Sequence, residues 1–157
     1  MGFAIIFFAS WLITVIFVVM KKKLSFIENS FVILFALIIS INWSWFIYEE
    51  WKLVEISSKP LNHTAFLISR SITIPLIIVT NMNLLDSATS VVKSFITILF
   101  SVFILTLLVV ISNYFDITKV IRWNIIYDIL YLFSLNLITY FFLFYFRKLS
   151  QIEVKVK

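Results

Sequence analysis

The sequence predicts an all-α bundle of transmembrane helices, on three observations. Hydrophobic residues make up 62% of the 157-residue chain and charged residues only 13%. An average soluble domain has roughly 45–50% apolar and about 25% charged residues. The mean hydropathy is +1.09. The apolar residues also fall into five runs, each long enough to cross a hydrocarbon core of about 30 Å. Together these exclude an ordinary soluble globule, a disordered chain and a low-complexity fibre.

The first run, Gly2–Met20, covers ~28 Å as a helix and ends on Lys21-Lys22-Lys23. A cleaved signal peptide carries its positive charge ahead of the apolar stretch. Here the charge follows, so an uncleaved anchor is expected. Ile6 stands where a myristoylation motif needs Ser or Thr. The second run, Phe31–Tyr48, closes on Glu49-Glu50, with Ser30 or Asn29 as its cap. Glu49–Ile56 is expected to continue as a surface helix anchored by Trp51, and Pro60 to end it. The third run, Thr64–Leu84, has Asn62 as a candidate cap and holds Arg70, Pro75, Asn81 and Asn83. Pro75 has no N–H, so the Ser71 carbonyl loses its helical partner and a kink is predicted. This is the least apolar run, and the chain has four spans if it does not cross. The fourth run, Ser94–Ser112, has Asp86 or Ser87 as cap and Lys93 placed to snorkel. The fifth, Trp123–Phe146, carries Asp128 and Asn136 and stops at Arg147-Lys148. Residues 1–157 read as one integral membrane domain without an internal repeat.

Loop charges set the expected orientation. The segments Lys21–Ser30, Asp86–Lys93 and the tail from Arg147 hold eight Lys and Arg. The N-terminal end and the segments Glu49–His63 and Asn113–Arg122 hold four. The positive-inside rule then places the N-terminus outside and the C-terminus in the cytoplasm. Net charge is +5. The basic residues flank apolar runs, which points to lipid headgroups and not to nucleic acid. Lys, Ile and Phe are abundant, whereas Ala, Gly and Arg are scarce. In composition and span layout the whole chain resembles small multi-span membrane proteins of low-GC Gram-positive bacteria. The resemblance rests on no motif; it implies a plasma-membrane location and transfers no activity.

Several reactions lack their parts. There is no Cys, one His (His63) and one Gly (Gly2). Thiolate chemistry, a zinc-protease HExxH, a Gly-rich phosphate loop and a GxxxG contact are therefore absent. A rhomboid-type nucleophile lacks its glycine-containing turn and its histidine. An intramembrane aspartyl protease needs two facing Asp residues, and only Asp128 lies in a span. Glu49-Glu50 resembles the start of the EExxxR pattern of CAAX-type membrane proteases, but Val54 stands where the Arg belongs. No enzyme and no cofactor is expected.

One constellation has chemical content. Ionisable residues at membrane depth are costly and turn toward protein or water. Arg70 and Asp128 each lie ~8–9 Å below the outer boundary on helices running the same way, and Asn42 shares that layer on a third helix. Arg70, Thr73 and Asn81 form one helical stripe; Asp128, Tyr131 and Thr139 form another. Both stripes are expected to face the bundle interior. Three arrangements are open: a structural Arg70–Asp128 ion pair, an outward-opening polar pocket with Arg70 receiving an anionic group and Asp128 orienting it, or Arg70 snorkelling alone. Asn62-His63-Thr64 matches a glycosylation sequon but sits at the membrane boundary. Trp43, Trp45, Trp51 and Trp123 read as an interfacial belt.

These features support three roles. The first is an accessory or structural subunit that binds another membrane protein or its own copies. The second is a sensor or immunity-type protein binding a lipid, peptide or small anion from outside. The third is a transport component, motivated by Pro75 and the buried charges.

Overall fold

The computed structural model describes the backbone of residues 1–156 and the side chains of residues 1–149. Five helices are long and apolar enough to cross a membrane, and the third is one of them. They are α1 (Gly2–Val19), α2 (Phe26–Glu50), α3 (Pro60–Asp86), α4 (Val91–Tyr114) and α5 (Ile125–Val156). Two short strands, β1 (Val54–Ile56) and β2 (Thr118–Val120), pair antiparallel with Val54 opposite Val120.

Local chemistry sets the helix ends, in places differently from the sequence expectation. α2 starts at Phe26, five residues early, because Ser25 and Glu28 form a reciprocal capping box. Asn29 is then inside the helix and buried instead of capping it. α4 starts at Val91 on Ser90, whose side chain accepts from the Lys93 N–H. Pro60 opens α3 where it was expected to end a surface helix, since its missing N–H costs nothing at a first helical position. The Glu49–Ile56 segment is helical only to Glu50; the chain then turns through Lys52 at φ 49° into β1. Asn62 does not cap α3; its amide donates to the Asp116 carbonyl at 3.1 Å.

The third span, the least apolar, is the hub. In α3 56% of the apolar stretch is buried, against 17% to 28% in the other four. Its polar residues are what allow this. Asn81 and Asn83 point to different sides, and each finds a partner there. The Asn81 amide donates to Asn136 on α5 at 2.7 Å, and Ser101 on α4 donates to the same oxygen at 3.2 Å. The Asn83 amide donates to Asn29 on α2 at 2.7 Å. The Asn83 oxygen accepts the backbone N–H groups of Lys23 and Leu24 at 2.9 and 3.0 Å. Apolar packing gives little preference between lipid and protein inside a membrane, so such polar links select helix neighbours.

The two ends of the bundle differ. At one end Arg147 on α5 pairs with both Glu28 on α2 and Asp86 on α3. This clasp end also carries Lys21–Lys23. At the other end the β1–β2 pair caps the bundle, and Gly2 sits where a Cβ would lie 2.7 Å from the Phe115 Cβ. The start of α1 and the Arg147 end of α5 therefore lie at opposite ends. The α2–α5 seam is an antiparallel aromatic zipper: Phe31 stacks on Phe146, Phe35 on Phe142 and Trp43 on Tyr131, with centroids 4.4–4.5 Å apart.

Candidate functional site

A cavity of ≈ 80 Å³ lies inside the capped end. One water needs ~10–15 Å³ of such space, so several fit. Arg70 and Asp128 both line it, with Tyr48, Phe66, Ser112 and Tyr131 among the other walls. The sequence had placed the two charges at one depth on separate helices, and the fold brings them to one cavity.

Backbone irregularity flanks this cavity on two sides. Ser69–Thr73 of α3 is π-helical, and so is Trp45–Glu50 of α2. Such wide turns recur at functional sites because they redirect side chains out of the regular helical register. The α3 segment directly precedes Pro75. The missing N–H there, expected to show as a kink, coincides with a widened turn carrying Arg70. The Thr73 hydroxyl contacts the Ile68 carbonyl, five residues back, at 3.5 Å.

Arg70 and Asp128 do not form an ion pair. Among the described residues, the ion pairs are those of Arg147 with Glu28 and Asp86. The Arg70 guanidinium instead lies over the Phe66 ring, 5.3 Å from its centroid. Its Nε is buried and has no hydrogen-bond partner. Behind Asp128, outside the cavity lining, the Trp123 indole lies beside the carboxylate but its N–H falls short of a hydrogen bond. The site thus holds a cation, a carboxylate and a donor left unsatisfied by the protein. An unmade bond of this kind costs about 1–3 kcal/mol, which a ligand or ordered water can recover.

Asn42 does not belong to the site. It is exposed, and its amide donates to the Ile38 carbonyl of its own helix at 2.8 Å. The buried face of α2 runs through Val32, Ala36, Ser40 and Ser44. Asn42 is two positions past Ser40, about 200° around the helix. Matching depth along the axis does not fix direction around it, and Asn42 faces away from the buried side of α2. The two predicted stripes do turn inward: Thr73, Asn81 and Thr139 are buried, and Tyr131 is partly so. The tryptophan belt divides. Trp45 and Trp51 are exposed, whereas Trp43 and Trp123 are partly buried and meet edge to face at 6.2 Å. His63 is exposed on the first turn of α3.

Sequence reasoning missed the Arg147 clasp and the Asn29–Asn83 link. Arg147 had read only as a topology signal. The spacing of Asn81 and Asn83 was the available clue, since amides on two sides of one helix require protein on both.

Comparison with protein-family models, curated proteins and solved structures finds no match to this chain.

Proposed function

We propose that this integral membrane protein binds a small ligand through an anionic group at Arg70, with Asp128 orienting the rest of it. The observation that carries this reading is the buried Arg70 Nε, unpartnered in a cavity beside a π-helical turn. A charge kept only for structure is expected to be paired, as Arg147 is. The role is non-enzymatic, that of a sensor or immunity-type binding protein in the plasma membrane. By the loop charges, the capped end and its cavity face outward and the clasp end faces the cytoplasm. The apolar exterior of the bundle is what lipid contact alone requires, so it does not single out an accessory-subunit role.

Thermal unfolding of the purified protein, titrated with inorganic phosphate and with O-phosphoethanolamine, tests this. Ligand at a hundred times its Kd stabilises the bound state by about 2.7 kcal/mol. The expected result is a concentration-dependent rise in Tm that Arg70→Gln abolishes. A shift of equal size in Arg70→Gln, or none in the native chain with either compound, overturns the reading.

A further inference from the structure

The zipper between α2 and α5 has a gap. Between the Phe35–Phe142 and Trp43–Tyr131 pairs, Ile39 faces Ser134, Leu135 and Ile138, with no aromatic ring to fill the seam. A groove of ≈ 370 Å³ results, and exposed Ser134 and Leu130 show that it opens toward lipid. Its α5 wall runs from Tyr127 to Ile138, and Trp123, just ahead of the helix, closes one end. The stretch from Tyr127 to Ile138 covers ~16 Å, close to half of a 30 Å hydrocarbon core. That volume over that length makes a slot narrower than a helix, whose diameter is about 10–12 Å. It suits one flexible chain from a single leaflet.

The groove adjoins the site across the stacked Trp43 and Tyr131 rings. Trp43 and Tyr131 line both spaces. One molecule that passes this ring pair can place a polar head beside Arg70 and Asp128 and an apolar chain between α2 and α5. The charges restrict the head. A bare anion at Arg70 would face the Asp128 carboxylate in the same cavity, and like charges repel strongly at low dielectric. A zwitterion satisfies both groups. A primary ammonium brings N–H donors for the carboxylate, and a quaternary one brings none.

We propose that the cavity and the groove together hold one zwitterionic amino-phospholipid: phosphate at Arg70, ammonium at Asp128, one acyl chain along the α2–α5 groove. This rests on the cavity reading above and names its ligand class.

The test is native mass spectrometry of the purified protein in detergent with dioleoyl phosphatidylethanolamine. Dioleoyl phosphatidylcholine and dioleoylglycerol are the comparisons, and O-phosphoethanolamine is the head without chains. The phosphatidylethanolamine is expected to be retained at least tenfold better than the other two lipids. Arg70→Gln and Ser134→Trp should each reduce that retention about tenfold, whereas Ser134→Ala should keep it. Ser134 is exposed, so the Trp variant fills the groove without disturbing the core, and circular dichroism checks its fold. Equal retention of phosphatidylcholine overturns the Asp128–ammonium contact. If O-phosphoethanolamine raises Tm through Arg70 while Ser134→Trp leaves lipid retention unchanged, the groove inference falls and the cavity reading stands. If Arg70→Gln alters neither lipid retention nor the O-phosphoethanolamine shift, both fall.

Discussion

Two polar layers cross this bundle, and only one of them is finished. At the clasp end, Asn83 is bonded to Asn29, to the Val79 carbonyl and to two backbone amides, and Arg147 holds two carboxylates. At the capped end, Arg70 and Asp128 share a cavity without pairing, and the Arg70 Nε has no partner. Both layers hang from α3. The difference separates polar residues that hold helices together from those held open for something else. Satisfied groups contribute to folding; an unsatisfied buried group costs folding energy and persists where a ligand completes it.

The comparison breaks most easily at Asn83. Asn83→Leu leaves the Asn29 side-chain oxygen and the Lys23 and Leu24 N–H groups to find new partners. We expect a loss of about 2–3 kcal/mol, on the scale of ~1–3 kcal/mol per buried group left unmade. Unfolding of the detergent-solubilised protein by titrated denaturing detergent measures it. A loss under about 1 kcal/mol, near the average for interhelical hydrogen bonds in membranes, would mean the layer is not the anchor of the fold.

The Arg147 clasp should matter less. Its three side chains are 15% to 34% exposed, so water and salt screen the pairs. Arg147→Gln is expected to cost about 1 kcal/mol, and the cost should shrink as salt is raised. A salt-independent loss would show that the clasp is a dry interior contact.

How far these layers were legible follows from what a sequence encodes in a helix. Position along the axis comes from counting residues, so the shared depth of Arg70 and Asp128 was readable. Direction around the axis comes from periodicity, which needs several polar residues in register. Arg70, Thr73 and Asn81 supplied it. Asn42 stands alone among apolar neighbours, and nothing in the sequence showed that Ser40 and Ser44, not Asn42, mark the inner face. The caps shifted for a related reason. Ser25-x-x-Glu28 carries the capping-box signature, but Phe26 and Ile27 extend the helix beyond the apolar run that defined the span. The π-helical turns had a single sequence signal, Pro75, and it predicted disruption without its form. The gap in the aromatic zipper depends on which helices are neighbours. Phe31, Phe35 and Trp43 look alike on any exposed helix until α5 lies against them.

The smallest expected effect is the most discriminating. Two charges lining one cavity without contact should be nearly independent in their effect on stability. In a double-mutant cycle, Arg70→Ala and Asp128→Ala should add to within about 0.5 kcal/mol. The single changes should also be mild, because each removes a charge that has no ion-pair partner among the described residues. Removing one partner of a true buried ion pair strands the other and costs about 3–5 kcal/mol. A coupling above about 1 kcal/mol without ligand would mean that Arg70 and Asp128 close on each other in the bilayer, and that the capped end is as finished as the clasp end. Additivity without ligand, with coupling appearing once phosphatidylethanolamine is bound, would instead show that the two residues meet through the ligand. The cycle run in both conditions therefore reads the difference between the two layers as a free energy.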